Sequence, residues 1–137
     1  MVATVVEKSV ILLFMERSVP LLYHLAKVLG PHRCGHFAEK LAMVSYAIRG
    51  FAPLKVPQNL AQTDLIVRRG SLIVLVEVKF RGSRQRGQFA VTPNQKQRLQ
   101  RQMHAVSGRF SNCTVRLEVF LVFLQFPFCK RIRNPYL

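Results

Sequence analysis

The spacing of apolar positions changes along the chain, and each change predicts an element. "SVILLFMERSVPLLYHLAKVLGP" has helix-like apolar spacing, interrupted at Pro20 and ended by Gly30-Pro31. Residues 1–33 therefore read as an N-terminal helical extension; with Met15 as an in-frame alternative, they also read as a mis-assigned start. "GHFAEKLAMVSYAIRGF" (35–51) predicts an amphipathic helix with Phe37, Leu41 and Val44 on its buried face and Gly50 as a stop. "APLKVPQ" holds two prolines and suits a sheet edge. Residues 61–67 and 72–80 are apolar and β-branched and predict strands, followed by the basic loop "RGSRQRGQ" (81–88).

"TPNQKQRLQRQMHAVSG" (92–108) predicts a second helix. Thr92 is placed as N-cap, Pro93 at N1, Gln95 closes a capping box and Gly108 ends it. Leu99, Met103 and Val106 form the stripe expected to be buried, which leaves Lys96, Arg98 and Arg101 largely to solvent. "CTVRLEVFLVFL" (113–124) predicts a strand and "CKRIRNPYL" a basic tail. The order helix, strands, helix, strand gives the α/β class.

Composition narrows the picture. At 137 residues, residues 34–137 make one domain large enough for a hydrophobic core. The formal charge is +15, from 21 Lys+Arg against 6 Asp+Glu, so the surface attracts polyanions, nucleic acid first among them. Cys34, Cys113 and Cys129 form no CxxC pair and read as free thiols of a cytoplasmic protein. The apolar run "VILLFM" is cut short by Glu16 and Arg17, so neither a membrane span nor a signal peptide is expected.

The acids are few, yet two of them stand in the most apolar stretch, "QTDLIVRRGSLIVLVEVKFR" (62–81). Gly70-Ser71 suits a two-residue type II′ hairpin turn. That turn pairs Arg69 with Leu72, sets Asp64 opposite Glu77 and Gln62 opposite Lys79, and projects all four from one face. With Arg69-Gly70 as the turn instead, Asp64 opposes Leu75 and lies diagonal to Glu77. Opposed Cβ atoms sit about 4.5–5.5 Å apart. Two carboxylates at that distance repel, so either one is protonated or a cation lies between them. Oxygen ligands of this kind are those Mg²⁺ prefers.

The layout of Asp64 followed by "EVK" (77–79) resembles the PD-(D/E)XK nuclease superfamily. More closely, from about Gly35 onward the chain resembles the YraN-like family of bacterial proteins. "GHFAE" resembles that family's G-x-x-[GA]-E, "AVTPNQKQRL" its V-T-x-x-K-Q, "VRLEVF" its R-F-D-V-V, and "RIRNPYL" its usual ending. Gln62 stands where the family carries a Glu, and Gln95 where it carries a Lys. The resemblance implies a restriction-endonuclease-like central mixed β-sheet flanked by helices. It implies metal-dependent DNA hydrolysis, with Mg²⁺ or Mn²⁺ held by Asp64, Glu77, the Val78 carbonyl and, through water, Glu39. Lys79 takes the place of the catalytic lysine. Arg81, Arg84 and Arg86 in the loop, and Lys96, Arg98 and Arg101 on the second helix, are the expected phosphate contacts; such contacts bind without reading sequence. Gln62 leaves open a rival of the same fold that binds nucleic acid with weak or no catalysis.

Overall fold

A computed structural model describes residues 35–81, 92–123 and 129–133. The proposed extension at 1–33, Cys34, and Arg84 and Arg86 of the loop lie outside the described residues. A helix, α1, runs over 35–48. It is followed by β1 (Ala52–Pro53), β2 (Leu65–Arg69), β3 (Leu72–Arg81), α2 (Pro93–Arg109), β4 (Thr114–Phe123) and β5 (Cys129–Arg133). The strands form one mixed sheet in the order β1-β2-β3-β4-β5, with β3 and β4 parallel and the other pairs antiparallel. The parallel pair requires a crossover, which α2 supplies. This is the α/β class expected from the element order, and a mixed sheet flanked by helices is consistent with the restriction-endonuclease-like architecture.

The sheet is covered on both faces, which explains why β3 is a continuous apolar run rather than an alternating one. Val74 and Val76 pack with Ala38, Leu41, Ala42 and Tyr46 of α1 on one face. Ile73 and Leu75 pack with Leu99 and Val106 of α2 on the other. All four β3 side chains are fully buried, and each such burial stabilises by about 1.5–3 kcal/mol.

The predicted α1 is present, but its buried face is turned from the one expected. Ala38, Leu41, Ala42, Ser45 and Tyr46 face the sheet, whereas Val44 is exposed and Phe37 only half-buried. The helical period was legible; the phase follows from packing, because the two alanines allow close approach and Tyr46 reaches a polar partner on β4. In β2 the strand starts at Leu65, not residue 61: residues 61–64, which follow a turn closed by the Leu60 N–H on the Pro57 carbonyl, carry no strand pairing. The second helix carries the capping box as predicted: Thr92 Oγ1 accepts from the Gln95 N–H, and Gln95 Oε1 accepts from the Thr92 N–H. It runs one residue past Gly108, with Phe110 as C-cap. The basic tail contains a strand, β5, that closes the sheet beyond β4. Cys113 and Cys129 are not joined in a disulfide, as expected. Among the described residues no helix is long and apolar enough to cross a membrane.

Candidate metal centre

The hairpin positions the acids. Gly70 has φ +60°, as the first central residue of the turn requires. Arg69 pairs with Leu72, and the ladder runs back to Leu65 opposite Val76. The first of the two registers is therefore the one present, and continuing it by one step brings Asp64 to Glu77. The ladder stops there, so Gln62 is an exposed residue ahead of β2 and not a paired neighbour of Lys79. Asp64 closes the end of the ladder with its side chain: Oδ2 accepts a hydrogen bond of 2.8 Å from the Val78 N–H. The N–H and C=O of one strand residue face the same neighbour, so the Val78 carbonyl is directed to the edge where Asp64 sits.

Glu77 ends the buried run of β3, 5% exposed. Its Oε1 is 3.1 Å from Lys79 Nζ and 3.6 Å from Arg98 Nη2. Arg98 reaches it from α2, which fixes this as the α2 face of the sheet. Its guanidinium is thus turned toward the site, while the side chain stays 42% exposed, partly in solvent as its helical position suggested. Burial first, and the nearby Asp64 second, push the Glu77 carboxyl above the ordinary carboxylate range; Lys79 and Arg98 pull against this. Oε2 of Glu77 is buried with no hydrogen-bond partner, and so are Arg98 Nε, Gln102 Oε1 one turn further along α2, and Thr63 Oγ1 beside Asp64. Buried polar atoms are seldom left unpaired, and two of these, Glu77 Oε2 and Arg98 Nε, belong to side chains already in contact.

Whether these residues suit a divalent metal can be judged from the donors. A buried carboxylate oxygen lacking a partner, a second carboxylate at the end of the paired strand and a strand carbonyl directed to the same edge form an all-oxygen set. Mg²⁺ is commonly held by one or two carboxylates with substrate and water completing its shell. The set fits on that basis. Glu39 is not brought to it by any contact: it lies on α1, which packs on the other face, and its carboxylate is 3.6 Å from His36 Nδ1. No group of three or more His, Cys, Asp or Glu side chains suited to a metal occurs among the described residues. Lys96 and Arg101 are exposed on α2. The Arg81 backbone ends β3.

Sequence reasoning missed a second buried carboxylate. Glu118 on β4 is fully buried. Tyr46 donates its hydroxyl to Oε2, and Arg116 Nη2 is 2.9 Å from Oε1. Arg131 and Arg133 of β5 approach it at 3.9 and 3.7 Å. The available signal was "RLEVF", an acid inside an apolar strand, the same anomaly that drew attention to Glu77.

Comparison with known proteins agrees with the resemblance. The family described as "Uncharacterised protein family UPF0102" matches residues 38–122. A UPF0102 protein of Brucella canis is 43% identical over 68 residues, 48% of this chain and 54% of its own length. A UPF0102 protein of Parvibaculum lavamentivorans is 35% identical over 101 residues, 69% of this chain and 74% of its own. One from Paramagnetospirillum magneticum is 32% identical over 99 residues, 66% and 77% respectively. The chain spans about half the length of the Brucella relatives it matches. With the family model covering the sheet from α1 to β4, this chain belongs to the UPF0102, or YraN-like, family.

Proposed function

We propose that this protein is a metal-dependent nuclease that hydrolyses DNA phosphodiester bonds in the cytoplasm without reading base sequence. The observation that carries the proposal is Glu77: a buried carboxylate beside Asp64, with one oxygen held by Lys79 and Arg98 and the other left without a partner.

Asp64, Glu77 and the Val78 carbonyl would hold a Mg²⁺ or Mn²⁺ ion. When bound, such an ion supplies charge to polarise the scissile phosphate and lowers the pKa of a coordinated water. The chain's own residues account for the rest. The hydrogen bond from Val78 N–H fixes the Asp64 carboxylate at the open end of the β2–β3 ladder. Lys79, its side chain 18% exposed, keeps an ammonium beside the carboxylate pair, where it orients water or stabilises negative charge developing on the phosphate. Arg98, Lys96 and Arg101 of α2 serve as phosphate contacts, to which Arg81 at the end of β3 and the loop arginines Arg84 and Arg86 add.

A second reading, nucleic-acid binding with little or no catalysis, is favoured by two observations. Gln62 is neutral and exposed, and a third metal-ligating side chain is lacking among the described residues. Incubation with Mg²⁺ or Mn²⁺ and duplex, single-stranded, nicked and branched DNA, together with RNA, tests both. Glu77→Ala and Lys79→Ala run alongside. Metal-dependent DNA cleavage by the parent, lost in both variants, is expected. Binding that survives both changes, with no cleavage by the parent, selects the second reading. Equal cleavage by all three proteins indicates a contaminant.

A further inference from the structure

Buried side-chain polar atoms without a hydrogen-bond partner include Glu77 Oε2 and Arg98 Nε on the α2 face of the sheet. Three others belong to a second place on the opposite, α1, face: Arg49 Nη1, Arg116 Nε and Glu118 Oε1. Glu118 Oε1 is ion-paired with Arg116 but meets it outside hydrogen-bond geometry.

The charges in this second place do not balance. Arg116, Arg131 and Arg133 all lie within 4.0 Å of the one Glu118 carboxylate. Among the described residues, three guanidinium groups against one carboxylate leave a local excess of about two positive charges, since arginine does not release its proton in proteins. A fourth guanidinium, of Arg49, stacks 4.3 Å over the ring of Tyr46, the residue that donates to Glu118. The carboxylate is fully buried, while the arginine side chains are 23%, 30% and 60% exposed for Arg116, Arg131 and Arg133. A buried anchor thus holds several partly exposed cations close together. Arg131 and Arg133 approach it through Nε, and neither makes another ion pair or hydrogen bond among the described residues.

Register explains why they converge. Glu118 pairs with Arg133, and Phe120 with Arg131, across β4–β5. Alternation along both strands puts these side chains on the face that carries Tyr46. Since β5 is the edge strand among the described residues, the partly exposed arginines lie at the sheet's border.

From this geometry we infer a second phosphate-binding site, formed by Arg116, Arg131 and Arg133 around Glu118, that holds the backbone of a nucleic acid on the face opposite Glu77. Planar guanidinium forks match the paired oxygens of a phosphodiester, and the uncompensated charge supplies the attraction. The ligand class rests on the nucleic-acid reading above; the site itself rests on the charge imbalance and the unpartnered atoms. Such a site lets one molecule engage a stretch of backbone distant from the bond at the Glu77 centre.

The test is the salt dependence of binding to a short fluorescein-labelled DNA duplex, read by anisotropy in EDTA so that cleavage does not intervene. Each phosphate contact contributes about 0.9 to the slope of log K against log salt. Arg133→Ala, which leaves Arg116 on Glu118 and so perturbs the fold least, is expected to lower the slope by about 0.9, and Arg131→Ala/Arg133→Ala by about twice that. Lys40→Ala/Lys55→Ala removes the same charge from exposed positions elsewhere and is expected to leave the slope close to that of the parent. An unchanged slope in both arginine variants, an equal fall in the lysine control, or a parent that binds no DNA overturns the inference. So does saturable binding of inorganic phosphate that Arg133→Ala abolishes while the DNA slope stays unchanged. An arginine-dependent slope in a protein that never cleaves supports this site while removing the nuclease reading; cleavage with an unchanged slope does the reverse.

Discussion

The Asp64 carboxylate accepts a hydrogen bond from the backbone N–H of Val78, the residue that follows Glu77, at 2.8 Å. The end of β2 is thereby tied by a side chain to the part of β3 where the second acid sits. The proximity has an electrostatic consequence, because Asp64 is the second-largest cause, after burial, of the raised Glu77 carboxyl. Asp64→Asn keeps an acceptor for Val78 and removes the charge. In metal-free protein the Glu77 titration should then move down, toward the ordinary carboxylate range, while staying above it. Carboxyl-carbon NMR titration in EDTA reads this directly. An unmoved Glu77 would show that the two acids do not sense each other.

The same shift predicts how stability depends on pH. The folded state holds the Glu77 proton more tightly than the unfolded chain. Below the ordinary carboxylate pKa both states are protonated, and the contribution is fully present. As pH rises through the interval between the ordinary and the raised value, the unfolded chain releases its proton first, and stability falls. Above the raised value the contribution is gone. Glu77→Gln carries no such proton. Its stability relative to the parent should therefore rise across that interval, measured by urea denaturation in EDTA from acid to neutral pH. A constant difference would mean that Glu77 is not raised.

Metal should act on the same balance. A cation that binds the folded state alone stabilises by RT ln(1 + [L]/Kd), about 2.7 kcal/mol at a hundredfold excess over Kd. Mg²⁺ or Mn²⁺ is expected to raise the Tm of the parent and to leave Asp64→Asn and Glu77→Gln nearly unmoved. A rise of equal size in all three would place the ion elsewhere.

How far the sequence disclosed this centre is clearest residue by residue. Gly70-Ser71 between two apolar runs set the hairpin and its register, so the approach of Asp64 to Glu77 was legible, as was the Thr92–Gln95 capping box. These are local signals. What was not legible depends on distant partners. Whether Val44 or Tyr46 of α1 faces inward is decided by Glu118, 72 residues away from Tyr46. Arg98 looks like a solvated helical arginine until α2 is packed over the end of β3. The strand in "CKRIR" was hidden because its alternate arginines read as a basic tail; only pairing with β4 gives them a carboxylate to surround.

Register at the centre depends on one backbone conformation. At Gly70, φ +60°, an added Cβ would meet no atom within 4 Å, so any penalty there is intrinsic to the backbone. Gly70→Ala should cost about 1–2 kcal/mol, and Gly70→Asn less, because asparagine tolerates the left-handed region. Urea midpoints with unchanged m-values check this. Equal costs for the two would mean that the turn adopts another conformation.

The buried pair of Tyr46 and Glu118 offers the sharpest test of the second polar cluster. Tyr46 is fully buried, and burial together with Glu118 pushes its phenol well above the ordinary tyrosine value, so it keeps its proton and remains a donor. Tyr46→Phe removes that donor while preserving the ring, which packs edge-on against Phe51. Oε2 of Glu118 is then left with Arg131 at 3.9 Å, beyond hydrogen-bond reach. A hydrogen bond to a charged group is worth about 1.5–3 kcal/mol, and one to a neutral group about 0.5–1.5. Tyr46→Phe should therefore cost about 2 kcal/mol in the parent but only about 1 kcal/mol in a Glu118→Gln background, where the acceptor is a neutral amide. The difference, measured by a double-mutant cycle in urea, isolates the interaction with the carboxylate. Equal costs in the two backgrounds would assign Tyr46 to packing alone, and Glu118 would then depend on its three arginines.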